Sequence, residues 1–145
     1  MNHYAGREPI AGLVPELKVT DFARSRWFYV DLIGFDVLYE RPEHAFAYLY
    51  LGRAELMIER DDGMWRTGPL EHPYGRGINF QIEVTDVEVL HQRLVAHDYP
   101  VMVPIEERWY RRDNLDVGQK QFLVQDPDGY LLRFGQDLGI RTRPG

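Results

Sequence analysis

Histidine, carboxylate and aromatic side chains are the groups in this sequence that could do chemistry. The five histidines, His3, His44, His72, His91 and His97, fall in a tail, in two loop stretches and along one helical pattern. None has the spacing of paired metal ligands. His44 and His72 could line a cavity, but an exposed loop histidine is the plainer reading. The chain has no cysteine, which removes a disulfide framework, a thiolate metal site and a cysteine nucleophile. It also lacks a Gly-x-Ser-x-Gly elbow and a glycine-rich phosphate loop. What remains is non-covalent chemistry. Phe46, Tyr48 and Tyr50 alternate along one stretch, Trp65 stands among glycines and prolines, and Trp109 adjoins Tyr110. Glu59, Asp61, Asp62, Glu106 and Glu107 supply negative charge. Aromatic faces and carboxylates together can hold a flat cationic molecule. Plain core packing is an equal reading for Phe46, Tyr48 and Tyr50. The Arg108, Arg111 and Arg112 cluster works against a purely anionic rim and reads first as a solvated hairpin tip.

The net charge of −6 argues against nucleic acid as a partner and favours a cationic ligand. A chain of 145 residues fits one domain, or two small halves sharing a core. Its 44% hydrophobic and 13% aromatic content is enough to bury that core. Met1 to Ile10 is polar and lacks the apolar centre of a signal peptide. No apolar run reaches the roughly 18 residues that span a membrane. With the absence of cysteine, this leads to the expectation of a cytoplasmic protein.

The elements that must position these groups follow from pattern. Leu13 to Val19 reads as a strand. Thr20 is the expected N-cap of a helix running to about Ile33, with Asp21 suited to the helix dipole and Gly34 as the stop. Three strands follow: Phe35 to Arg41, Ala45 to Leu51 and Ala54 to Arg60. Asp61 to Gly77 is a long loop, and loops of that length are often functional. Ile78 to Val84 is a strand, Thr85-Asp86 repeats the helix start, and Val87, Leu90, Leu94 and Val95 give a core stripe to about His97. Pro100 to Ile105 is a strand and Glu106 to Gly118 a wide connection. Gln119 to Gln125 and Tyr130 to Gln136 flank Asp126-Pro127-Asp128-Gly129. There Pro127 presets φ and Gly129 takes the positive φ of a tight turn. The tail from Ile140 to Gly145 is expected to fray.

A repeat underlies this order. Leu17-Lys18-Val19-Thr20-Asp21-Phe22 matches Ile82-Glu83-Val84-Thr85-Asp86-Val87 at a constant offset of 65 residues (21 to 86). Each half reads strand, helix, three strands. Two such βαβββ modules each leave a sheet face bare. Pairing them, within one chain or across a dimer, buries those faces around a cupped cavity. The fold class expected is therefore α+β with two cupped mixed sheets.

Three stretches carry a family resemblance: Leu17 to Phe22; Trp27-Phe28-Tyr29-Val30-Asp31-Leu32-Ile33-Gly34-Phe35; and Asp126 to Leu132. With them, about Leu13 to Leu138 resembles the vicinal oxygen chelate superfamily of glyoxalases, extradiol dioxygenases and bleomycin resistance proteins. Ile33 is one residue more than that family's usual Phe-Tyr…Leu-Gly-Phe pattern. The block Val117 to Phe134, ending Leu131-Leu132-Arg133-Phe134, looks most like the bleomycin resistance branch. The resemblance implies a single domain over residues 1–145. Module one covers about 10–62, the long loop 62–76 and module two about 77–138.

The family's metallo-enzymes hold a divalent ion with four side chains, and the resemblance places those positions at Val14, Glu59, Asn79 and Arg133. Only Glu59 could coordinate, Asn79 is a poor ligand, and Arg133 is a fixed cation. The expectation is therefore no metal and no cofactor. Glu59 and Arg133 are expected either to face one another as an ion pair or to bind ligand, and the two roles are compatible. The function implied is that of a metal-independent, bleomycin-resistance-like homodimer. It would bind and sequester a cationic glycopeptide-type antibiotic or a similar small molecule, with no catalytic residues. The ligand-binding candidates are Phe46, Tyr48, Glu59, Asp61, Trp65, Asn79, Trp109 and Arg133. The alternative is a metal-dependent lyase or dioxygenase of the same superfamily with atypical ligands. A binder of some other hydrophobic or cationic metabolite is a third reading.

Overall fold

Both helices start at an aspartate that follows a strand. The computed structural model describes residues 6–144, divided into two units. The first runs to Arg76 and includes Asp126–Tyr130; the second holds Gly77–Gln125 and the chain from Leu131 on. His3 and Gly145 lie outside the described residues.

In the first unit, strands β1 (Glu16–Val19), β2 (Asp36–Arg41), β3 (Phe46–Leu51) and β4 (Ala54–Arg60) form one sheet in the order β1-β4-β3-β2. β1 runs parallel to β4, and the other pairs are antiparallel. Register sorts the side chains into two faces, because directly paired residues point the same way. Leu17, Ile58 and Ala47 align across one face, and Leu49 and Leu56 pair on it. These side chains are buried, and helix α1 (Phe22–Arg26) packs on β4. Lys18, Glu59 and Phe46 align across the other face, followed by Glu16, Met57 and Tyr48, then by Glu55 and Tyr50. The first strand is shorter than expected.

The second unit repeats the plan. β5 (Asn79–Glu83), β6 (Val103–Arg112), β7 (Leu115–Gln125) and β8 (Leu131–Thr142) form a sheet in the order β5-β8-β7-β6, with β5 parallel to β8. Helix α2 (Val87–Ala96) buries Val87, Leu90 and Leu94 and packs against β6, β7 and β8. Phe122 and Phe134 pair across β7 and β8, with ring centres 5.6 Å apart. The class is α+β, with two four-stranded mixed sheets and few helices.

Four local expectations need correction. The N-caps are Asp21 and Asp86, not the threonines before them. Their side chains accept the Arg24 and Val89 amides, each at 3.2 Å. Thr20 instead donates its own amide to Asp128 Oδ2 at 2.9 Å. The first helix is not one α-helix to Ile33: after α1 the chain widens into a π-helix over Trp27–Ile33. Gly34 N donates to Tyr29 O five residues back at 3.1 Å, so the added residue is absorbed by the wider turn. Leu32 and Ile33 both stay in the core. The segment expected as a wide connection is strand, since β6 and β7 pair up to Arg112↔Leu115 around Asp113-Asn114. Ile140 to Thr142 pair with Leu115 to Val117, so that part of the tail is ordered in β8.

Candidate functional site

Lys18 sits on the polar-aromatic face of the first sheet, between two core residues of β1. Its side chain is 5% exposed and is ringed by carboxylates: Glu59 at 2.7 Å, Asp62 at 2.9 Å and Glu16 at 3.4 Å. Burial works against the ammonium, but the hydrogen bonds to Glu59 and Asp62 outweigh it and hold the pKa above the ordinary lysine value. Asp62 is held down at about 2, first by the Lys18 hydrogen bond and then by the Met64 amide. One cation among three carboxylates leaves this corner of the face anionic.

At the other end of the face, Glu55 is 5% exposed and collects four donors. Arg7 Nη2 (2.8 Å) and the Ile10 amide (2.9 Å) reach Oε2, and the Ala11 amide (3.1 Å) and the Tyr48 hydroxyl (2.7 Å) reach Oε1. Burial opposes its ionisation, yet the Ile10 amide, Tyr48, the Ala11 amide and Arg7 hold the carboxyl down at about 2. Burial, then Glu55, pushes the Tyr48 phenol up to about 12. Arg7 also donates to Gly52 O at 2.8 Å and lies over the Tyr50 ring, 3.8 Å from its centre. Leu38, Phe46 and Tyr48 form a small apolar cluster between these two charged ends, and Val14, Tyr50 and Met57 pack against it. Tyr39 stacks on Tyr48 at 5.2 Å, and Arg41 lies over Phe46 at 4.0 Å.

A third cluster surrounds the Asp126-Pro127-Asp128-Gly129 turn. Asp126 accepts the Tyr29 hydroxyl at 2.7 Å and the amides of Asp128 and Tyr130 at 2.9 Å. Burial pushes its carboxyl up to about 6 in spite of these donors. Buried Asp128 binds His72 Nε2 at 2.9 Å, and Thr20 Oγ1 lies 3.3 Å from both His72 Nε2 and the Tyr74 hydroxyl. Both polar partners of His72 meet the same ring nitrogen, so this is not a nucleophile-base-acid relay. Gly129, at φ 97°, is required: a Cβ there would meet Pro73 at 2.5 Å.

The predicted site residues fall as follows. Phe46, Tyr48 and Glu59 share the first sheet's polar-aromatic face. Asp61 lies just beyond β4, paired with Arg66 at 3.1 Å. Trp65 is 83% exposed in the long loop. Asn79, Trp109 and Arg133 belong to the second unit. There Asn79 is exposed, and Trp109 lies on β6, not in a loop, under Arg141 at 3.9 Å. The partner of Arg133 is Gln81 Oε1 at 2.8 Å, and that of Glu59 is Lys18 Nζ at 2.7 Å. Both bonds follow sheet register, since Lys18 pairs with Glu59 across β1 and β4 and Gln81 with Arg133 across β5 and β8.

Of the four positions that the resemblance assigns to metal ligands, Asn79 is exposed. Val14 packs against the apolar cluster, Glu59 is taken by an ammonium, and Arg133 is a permanent cation. Among the described residues, no three His, Asp or Glu side chains gather as a metal-binding group.

Sequence reasoning passed over Lys18, Glu55 and Arg7. Alternation carried the signal for the first two: Lys18 stands between core residues Leu17 and Val19, and Glu55 shares its face with Met57 and Glu59. Nothing local marks Arg7, whose partners are more than forty residues away.

The profile of the Glyoxalase/Bleomycin resistance protein/Dioxygenase superfamily matches residues 1–134. Bleomycin resistance proteins from Geobacillus stearothermophilus and Staphylococcus aureus are 26% identical over 138 residues, covering 86% of this chain and 96% of theirs. Among solved structures, TioX from Micromonospora sp. ML1 superposes with a TM-score of 0.68 at 23% identity, covering 88% of this chain and 99% of that one. Lactoylglutathione lyase from Agrobacterium tumefaciens gives a TM-score of 0.56 at 20% identity, covering 90% and 96%. At these identities the two structures speak to fold alone.

Proposed function

Because the chain belongs to the glyoxalase/bleomycin resistance protein/dioxygenase superfamily, we propose that it binds and sequesters a cationic antibiotic of the bleomycin type, or a similar small molecule. The reading requires no metal. The observation that carries it is the polar-aromatic face of the first sheet. There Phe46, Tyr48 and Met57 lie between the carboxylates of Glu16, Glu59 and Asp62 at one end and Glu55 at the other. Phe46 and Tyr48 are themselves buried, but the exposed Tyr39 ring stacked on Tyr48 offers an aromatic face, and the excess of carboxylate over ammonium around Lys18 suits a cation. The curated relatives named bleomycin resistance proteins support the same ligand class.

In this proposal the ligand candidates are Phe46, Tyr48, Glu59, Asp61 and Trp65 in module one, with Phe46 and Tyr48 acting from beneath the surface, and Asn79, Trp109 and Arg133 in module two. The protein acts as one domain of two modules, as a cytoplasmic homodimer and without covalent chemistry. Among the described residues no helix is long and apolar enough to cross a membrane. Calorimetric titration with bleomycin, followed in parallel by tryptophan fluorescence, tests the reading. Saturable heat with a 1:1 protomer stoichiometry is expected. Silence in both signals at high micromolar drug would sink it. Stoichiometric iron, manganese, nickel or zinc in protein purified without chelator would favour the lyase or dioxygenase alternative instead.

A further inference from the structure

We propose that Glu55, the Tyr50 ring and the Gly52 carbonyl form a cradle for a planar guanidinium or amidinium cation. In this structure the chain's own Arg7 occupies the cradle as an intramolecular stand-in for ligand. The inference rests on reading this sheet face as the ligand surface and adds a specific cation subsite and its self-blocking.

The geometry has the three parts such a cradle needs. The Glu55 carboxylate accepts Arg7 Nη2 at 2.8 Å, which is a charge-assisted bond in a nearly water-free position. Gly52 O accepts Arg7 Nη1 at 2.8 Å, so the cation is held from two sides in its own plane. The Tyr50 ring lies 3.8 Å from the guanidinium carbon and supplies the stacking face. Glu55 and Tyr50 are directly opposed across β3 and β4, so the carboxylate and the ring are fixed by sheet register, whatever Arg7 does. The Tyr48 hydroxyl orients the carboxylate from the apolar side at 2.7 Å.

Arg7 fills the cradle imperfectly. Its Nε is buried without a hydrogen-bond partner among the described residues. It arrives on a segment outside both sheets. The Ile10 and Ala11 amides pin that segment to the same carboxylate, and Val14 sits on the aromatic cluster. The segment is therefore a strap across the candidate ligand face. A tethered group competes at an effective concentration on the order of millimolar. A ligand cation must displace it and meets only the fraction of molecules with the strap open.

Benzamidinium tests the cradle, with neutral benzamide as control and the Ile10 and Ala11 amide NMR signals as reporters. Wild type should respond only weakly. In Arg7→Ala the half-saturating benzamidinium concentration should fall at least about tenfold, with benzamide inert. Adding Glu55→Gln to Arg7→Ala should abolish the gain. Adding Tyr50→Leu instead should weaken it several-fold while leaving the carboxylate in place. Equal response of wild type and a folded Arg7→Ala variant, or benzamide binding as well as benzamidinium, overturns the proposal. Bleomycin is absent from this experiment. A failed drug titration with an intact benzamidinium response rejects the antibiotic, and the reverse rejects the cradle.

Discussion

The two units start from the same sentence and end in different chemistry. Each opens with a short strand running parallel to the last strand of its sheet, followed by a helix capped by aspartate with the same 3.2 Å bond. At the next level they part. Lys18 is buried among three carboxylates, while its repeat-equivalent, Glu83, is exposed. The first helix is widened into a π-segment and the second is a regular ten-residue α-helix. The β3–β4 hairpin turns on Gly52-Arg53. The β7–β8 hairpin turns on the five residues Asp126–Tyr130, which group with the first unit and are organised around the buried Asp126 carboxylate. What is shared is what closes a βαβββ module. What differs is which charges each sheet carries, and so which ligands it could prefer.

The largest effect that could break this contrast lies in the turn. Removing the Asp126 carboxylate strands the Tyr29 hydroxyl and two backbone amides, so Asp126→Ala should cost about 3 kcal/mol in urea denaturation. The same group sets a pH slope. Its pKa of about 6 in the folded chain stands above the roughly 3.9 of an unfolded aspartate. The folded state therefore binds more protons between these values, and stability falls as pH rises from about 4 to 6. Glu55 and Asp62, held down at about 2, act oppositely: their contribution is present above about pH 4 and is lost as pH falls toward 2. Stability should therefore peak between about pH 4 and 5, and Asp126→Asn should flatten only the descending side. A wild-type profile that climbs through pH 6 would contradict the shift.

Next in size is the divergence within the repeat. Lys18→Ala leaves Glu59 and Asp62 facing each other without a cation and should cost about 2 kcal/mol, with discounting for the part-exposed Asp62. Glu83→Ala at the equivalent, exposed position should cost no more than about 1 kcal/mol, as for a solvated charge. Equal losses would mean that the two sheets carry their charges to the same end. The smallest effect probes what the units share: Asp21→Ala and Asp86→Ala should each lose about 1 kcal/mol by thermal unfolding. A clear inequality would mean that one cap serves its helix less than its geometry suggests.

Much of the fold was legible in the chain. The offset repeat, the helix stop at Gly34, the aromatic strand and the Asp-Pro-Asp-Gly turn are local signals, and each falls where its residues say. The helix caps were misplaced by one residue because Thr and Asp both cap well, and only tertiary structure shows Thr20 donating to Asp128. The β6–β7 hairpin is hidden in the sequence because Arg108, Arg111 and Arg112 look solvated. They are exposed, yet the backbone beneath them is paired. The site was half legible. Glu59, Phe46 and Tyr48 come from pattern. Arg7 and Glu55 meet across 48 residues of chain, and no window of sequence contains that bond.

The π-segment at Trp27–Ile33 has one more consequence, at the level of the gene. A single inserted codon in a regular helix would rotate everything after it by about 100° and expose the core face. Here one wide turn takes up the extra residue, closing at Gly34 with Leu32 and Ile33 both inside. Such an insertion could be gained or lost in one mutational event, and an alignment gap opposite Ile33 would mark a change in helix pitch at otherwise unaltered ends.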